Sequence, residues 1–215
     1  MSLYIYFGPM YAGKTTKLIN MYNHTYENKI VIDYNVLNIS RNYNPMYAYS
    51  GKLNTHNDNI ILNDIVLKTK SLSMLNDINN YKMVENEKND IYNKYINAKY
   101  IFINECQFFI DLKYYVLEQL KKDKTICIYG LDADYKQEKF GQVWDLIPYA
   151  TNIEKINGTC KYCNNLSIVS CRITNNDCQY LPDASQYVPL CLNCKNNKLN
   201  IIIEEEENII VEEQE

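Results

Sequence analysis

Short apolar runs alternate with longer amphipathic stretches along most of the chain. Leu3-Tyr4-Ile5-Tyr6-Phe7 is the first run, rich in β-forming residues, and predicts a buried strand. Residues 15–26 then follow helical spacing, with Leu18, Ile19 and either Met21 or Tyr22 on the inner face. Lys29-Ile30-Val31-Ile32-Asp33-Tyr34 predicts a second strand. Residues 35–59 are polar, aromatic and turn-rich, broken by Pro45 and Gly51. Residues 60–68 predict a further strand. Residues 72–98 carry mixed charge, with Leu75, Ile78, Val84, Ile91, Tyr95 and Ile96 at helical spacing. They predict one or two surface helices with a polar break near 86–89. Lys99-Tyr100-Ile101-Phe102-Ile103 predicts a third buried strand, 112–122 a helix, and Thr125-Ile126-Cys127-Ile128-Tyr129-Gly130-Leu131 a fourth strand. Residues 143–149 predict a short helix closed by Pro148.

Strands alternating with helices predict an α/β protein: a parallel sheet with helices on both faces. Ligands of such sheets bind at the carboxyl ends of the strands. The composition changes after residue 151, and the expected division is an α/β domain over 1–153, a cysteine-bearing domain over 154–198 and an acidic tail over 199–215. Ile201-Ile202-Ile203 in the tail is a candidate edge strand.

The chain has 215 residues, 47% of them hydrophobic, enough for one domain with a real core and a small appendage. A net charge of −4 argues against a surface built to coat nucleic acid. Neither a bilayer-length apolar run nor a secretory signal is visible, so a cytoplasmic, reducing compartment is expected. Eight cysteines there suggest metal rather than disulfides. Cys160, Cys163, Cys191 and Cys194 form two Cys-x-x-Cys pairs, the thiolate set of a structural Zn²⁺ site. The long gap between the pairs predicts a metal that staples the base of a loop. Cys106, Cys127, Cys171 and Cys178 are expected to be unligated.

Gly8-Pro9-Met10-Tyr11-Ala12-Gly13-Lys14-Thr15 fits the phosphate-binding loop G-x-x-x-x-G-K-[ST], with a strand before it and a helix after it. Backbone N–H groups and a helix N-terminus then converge on one spot that attracts phosphate. Lys14 is expected on the β and γ phosphates of ATP, and the Thr15 hydroxyl on Mg²⁺. Such a loop transfers or hydrolyses a phosphoryl group. Glu105, just beyond the third strand, is the candidate base for an alcohol acceptor; an exposed strand-end role is the alternative. Phe108, Phe109, Tyr135 and Phe140 suit a flat ring, and suit apolar packing equally well. Arg41 and His56 stand out in the polar stretch, with a solvated role open for the histidine.

Four motifs in order carry a resemblance to the class II (cellular and poxvirus type) thymidine kinases. The loop, continued by Thr16, is similar to that family's G-P-M-[FY]-[SA]-G-K-[ST]-[ST]. Ile103-Asn104-Glu105-Cys106-Gln107-Phe108-Phe109 resembles its I-D-E-[AG]-Q-F-F, and Leu131-Asp132-Ala133-Asp134-Tyr135 its L-D-G-[TD]-[FY], followed by Leu146-Ile147-Pro148. The cysteine pairs, with Tyr187 ahead of the second, resemble its zinc-stapled lasso.

The resemblance implies a P-loop NTPase-like fold with a C-terminal zinc-binding lasso domain, and transfer of the ATP γ-phosphate to the 5′-hydroxyl of thymidine or deoxyuridine. It implies Glu105 as general base, with Asn104 and Gln107 beside the nucleotide. Phe108, Leu131, Tyr135, Phe140, Ser170, Arg172 and the segment Cys178-Gln179-Tyr180-Leu181-Pro182 with Tyr187 are implied around the nucleoside. A homotetramer and feedback by thymidine triphosphate are implied as well, while charge and hydropathy lead to the expectation of no stable nucleic-acid partner and no membrane partner. Asn104 stands where the family has Asp, which predicts weaker Mg²⁺ binding because the amide oxygen carries no charge. Pro182 has no N–H to donate within the lasso. Two other readings stay open: a P-loop ATPase whose zinc module acts on nucleic acid, and a nucleotide-binding relative with weak turnover.

Overall fold

A computed structural model describes residues 1–34, 49–55, 60–82 and 84–197. Strands β1 (Ser2–Phe7), β2 (Lys29–Tyr34), β3 (Tyr49–Gly51), β4 (Val66–Thr69), β5 (Tyr100–Asn104), β6 (Thr125–Gly130) and β7 (Asn152–Lys155) form one sheet in the order β3-β4-β2-β5-β6-β1-β7. β3 runs antiparallel to β4, and every other pairing is parallel. The crossovers include helices α1 (Lys14–His24), α2 (Glu85–Asn97) and α3 (Leu112–Lys121). β1, β2, β5 and β6 coincide with the four apolar runs of the sequence.

Alternation along the strands sorts the core into two layers. Leu3, Ile5, Ile30, Ile32, Ile101, Ile103, Ile126 and Ile128 face α2 and α3, meeting Ile91, Tyr95, Leu112, Tyr115 and Val116. Tyr6, Val31, Phe102, Cys127 and Tyr129 face the other way, onto Leu18, Ile19 and Tyr22 of α1. Helices therefore cover both faces, as expected. Tyr22 rather than Met21 completes the fully buried face of α1.

Three local expectations change. The stretch 60–68 supplies a strand only from Val66, and Ile61 makes a single bridge to Asn54. The polar run 86–89 does not break a helix. It lies within the first turns of α2, where Glu85 and Glu87 suit the positive helix end, while Ile91 and Tyr95 are buried further on. Two short 3₁₀ turns, Ser73–Asn76 and Ile78–Asn80, precede it. β7 adds a strand where the sequence suggested only a boundary; its burial is low, so it carries no apolar run. Arg41, His56 and residues 201–203 lie outside the described residues.

Beyond β7, β8 (Gly158–Thr159) pairs with β9 (Leu166–Ser167), and β10 (Val169–Arg172) with β11 (Tyr187–Leu190). Cys160, Val169 and Leu190 form a small core of their own.

Candidate active site

The carboxyl ends of β1, β5 and β6 gather most of the candidate residues. The loop after β1 turns through Tyr11 at φ 62° and Gly13 at φ 83°, and Gly13 caps α1. Glycine carries the left-handed conformation there without a Cβ penalty. Gly8 is needed for a different reason: a Cβ would stand 2.0 Å from the Ile156 carbonyl oxygen. Lys14 is buried, and its ammonium donates to the carbonyls of Gly8 at 3.1 Å and Pro9 at 2.6 Å. Burial lowers its pKa, against the opposing pull of Glu105 and Asp132. The loop also carries the C-terminal module. The Met10 N–H donates to Ser170 Oγ at 2.9 Å, and the Tyr11 hydroxyl to the Ala184 carbonyl at 2.8 Å.

β5 ends at Asn104, and the chain turns sharply at Glu105, which holds φ 51° and ψ 40°. That left-handed conformation is costly for a residue with a side chain, by about 1–3 kcal/mol. Glu105 Oε2 accepts from Gln107 Nε2 at 2.6 Å, and Gln107 Oε1 accepts from the Leu131 N–H at 3.0 Å. Gln107, buried, thus ties the end of β5 to the end of β6 and fixes the carboxylate between them. Asp132 follows and pairs with Lys155 of β7 at 2.7 Å.

An aromatic-walled cavity opens beside this edge. Met10, Leu131, Ala133, Asp134, Tyr135, Phe140, Ser170, Gln179, Tyr180 and Tyr187 line it. Seven residues implied for a nucleoside therefore meet in one place: Leu131, Tyr135, Phe140, Ser170, Gln179, Tyr180 and Tyr187. Phe108 stands behind them, edge-on to Phe140 at 5.3 Å and to Tyr180 at 4.6 Å, and stacked on Tyr34 at 5.0 Å. Burial, with the Glu105 carboxylate near, pushes the Tyr180 hydroxyl up to about 12.

Cys178, Leu181, Pro182 and Arg172 are not in the wall. Arg172 lies under the flap and holds its shape. Its guanidinium donates to the carbonyls of Asn176 at 2.6 Å, Cys178 at 2.5 Å and Gln179 at 3.2 Å, and to the Tyr187 hydroxyl at 2.6 Å. It also stacks 3.6 Å from the Tyr135 ring centroid. The Tyr187 hydroxyl accepts in turn from the Leu181 N–H at 2.8 Å. Met10, expected with the glycine loop, also lies in this wall, while Ala133 and Asp134 are additions to it and Tyr34 packs behind it on Phe108. Ala133 and Asp134 are framed by Asp132 and Tyr135 in the sequence, and Asp134 holds Gln179 Nε2 at 3.0 Å.

The sulfurs of Cys160, Cys163, Cys191 and Cys194 lie within 4.8 Å of one another, with Cys163 and Cys191 at 3.6 Å. Tetrahedral thiolates at Zn–S distances of about 2.3 Å stand about 3.8 Å apart, so the donor set fits such an ion. Burial disfavours the Cys160 thiolate, yet hydrogen bonding from the Cys191, Tyr162 and Cys163 backbone brings its pKa down to about 6.

A parallel α/β sheet with a glycine loop at its carboxyl edge, and a four-cysteine module closing over it, is the class of protein that fold and site define. Within that class the chain belongs to the thymidine kinase family, whose model matches residues 1–195. It is 30% identical over 203 residues to a thymidine kinase of Amsacta moorei entomopoxvirus, an alignment covering 92% of this chain and 99% of that one. It is 28% identical over 201 residues to a thymidine kinase of Dictyostelium discoideum, covering 91% and 78%.

Proposed function

We propose that the protein transfers the γ-phosphate of ATP to the 5′-hydroxyl of thymidine, or of deoxyuridine, to give the monophosphate for nucleotide salvage. One observation carries this reading. Gln107 ties the Glu105 carboxylate at 2.6 Å to the backbone of Leu131, a wall residue of the aromatic cavity, at 3.0 Å, and the Gly130 carbonyl just before it accepts from the Gly8 N–H of the glycine loop at 3.3 Å. A base so placed serves a phosphate donor on one side and a nucleoside on the other.

In this reading residues 8–15 cradle the triphosphate with backbone N–H groups, and Lys14 turns from its own loop carbonyls to the phosphates. Glu105 accepts the proton of the 5′-hydroxyl as oxygen attacks phosphorus, and the P–O bond to ADP breaks. Gln107 keeps the carboxylate aimed. The cavity is closed to about 10 Å³, so its aromatic walls part to take the base, and the flap, shaped by Arg172, then excludes water. Thr15 Oγ1 and Asn104 Oδ1 suit Mg²⁺, which when bound neutralises phosphate charge.

The fit of the four sulfurs supports zinc as the staple of the flap. Stripping it with a chelator should release a single equivalent of zinc and lower the melting temperature, with loss of thymidine phosphorylation. An intact melt and full activity after metal release would remove zinc from the site. Resemblance supports a homotetramer with triphosphate feedback. A relative from Gallus gallus, 22% identical over 191 residues, is called cytosolic, which supports a cytoplasmic location here. Among the described residues no helix is long and apolar enough to cross a membrane. The division near residue 153 stands as a proposal, with β7 carrying the sheet to Lys155.

The test is a nucleoside panel with ATP and Mg²⁺, scored for monophosphate. Thymidine should give thymidine monophosphate and ADP in equal amounts. ATP hydrolysis stimulated by single-stranded DNA, with no nucleoside product, would favour the nucleic-acid reading instead. Against that reading, Lys161, Arg172 and Lys195 are the cations of 157–195, and Arg172 is engaged inside the flap.

A further inference from the structure

Lys68, Asp33 and Asn104 occupy one rung across β4, β2 and β5, since Asp33 is in register with both neighbours. Asp33 is 6% exposed and Asn104 5%. Asn104 Nδ2 donates to Asp33 Oδ1 at 2.8 Å, and the Lys68 ammonium donates to Asp33 Oδ2. An ionised carboxylate only accepts hydrogen bonds. Asp33 therefore fixes which end of the amide faces it, and the Asn104 oxygen must face away from β2. That is the side on which β6, β1 and the glycine loop lie. No described residue donates to Asn104 Oδ1, and it is not among the buried polar atoms left without a partner, so it stays reachable.

We propose that Asp33, anchored by Lys68, is a positioning residue that locks the Asn104 amide with its oxygen toward the metal–nucleotide complex. The inference rests on the reading that this edge holds Mg²⁺ and ATP. A free amide turns over and offers its NH₂ end, a donor that repels a cation. Locked by Asp33, it offers a fixed neutral oxygen instead. The carboxylate of this rung thus sits one strand outward, on β2, balanced by Lys68.

The arrangement also governs what a carboxylate at position 104 does. Asn104→Asp alone places two carboxylates at hydrogen-bonding distance, where they share a proton rather than both ionise. It should destabilise the fold and bring little gain in metal affinity. Asp33→Asn together with Asn104→Asp exchanges acceptor and donor, and restores one full charge facing the site.

The experiment titrates Mn²⁺ by electron paramagnetic resonance against the full chain with a non-hydrolysable ATP analogue, with melting temperatures in parallel. Introduced into the native chain, Asp33→Asn should weaken Mn²⁺ binding by about tenfold, the scale of a lost supporting contact to a metal ligand. Introduced on top of Asn104→Asp, the same change should strengthen binding and raise the melting temperature. That reversal of sign is the expected result. Equal effects in both backgrounds, or none, would overturn the proposal while leaving Mn²⁺ and nucleotide bound. If all four proteins take up no more Mn²⁺ than the nucleotide alone does, the reading of the site falls, and the proposal with it.

Discussion

Replacing Glu105 with Gln should slow thymidine phosphorylation by about 10²–10⁴-fold, the usual contribution of a general base, while ATP still binds. The substitution is nearly isosteric. The carbonyl oxygen of the new amide can still accept from Gln107 Nε2, which meets the native carboxylate at 2.6 Å. The strained turn at φ 51° costs both side chains alike. The capacity to take a proton is lost, together with the negative charge. Rapid-quench measurement of phosphoryl transfer, beside calorimetric titration with an ATP analogue, separates the two steps. Substantial transfer by this variant would assign the base elsewhere.

Replacing Arg172 with Lys should raise the KM for thymidine at least tenfold and leave the KM for ATP nearly unchanged. The ammonium keeps the charge but cannot reach the three carbonyls and the tyrosine hydroxyl that the guanidinium holds together. Hydrogen bonds from a charged donor contribute about 1.5–3 kcal/mol each, and several share this group, so their losses do not add. Stacking on Tyr135 is lost as well. Faster hydrogen exchange at 176–181 should accompany the kinetic change. Equal rises in both KM values, with unchanged exchange, would show that Arg172 does not shape the flap.

Much of the scaffold can be read from residue order because its central strands are buried on both faces. Such strands are continuous apolar runs, and Ile101-Phe102-Ile103 or Ile126-Cys127-Ile128 can hardly be anything else. Edge elements escape for the same physical reason. β7 lies on the rim with little burial, so Asn152-Ile153-Glu154-Lys155 shows no pattern. Helix α2 is blurred in the sequence by a polar start that faces solvent. At the site, spacing locates Lys14, Glu105 and the four cysteines, since each belongs to a short local motif. Arg172, implied for the pocket by resemblance, instead braces the loop above it. Asp33 carries no motif at all. Pairings between distant strands decide both roles, and neither leaves a mark on sequence spacing.

The most direct measurement is a crystal structure of the protein with thymidine, Mg²⁺ and a non-hydrolysable ATP analogue. A Glu105 oxygen should stand about 2.6–3.2 Å from the thymidine 5′-oxygen, within proton-transfer reach, with the γ-phosphate on Lys14 and the base under Tyr180. A nucleoside bound with Glu105 turned away from its sugar, or a triphosphate seated outside the Gly8–Thr15 loop, would contradict the mechanism.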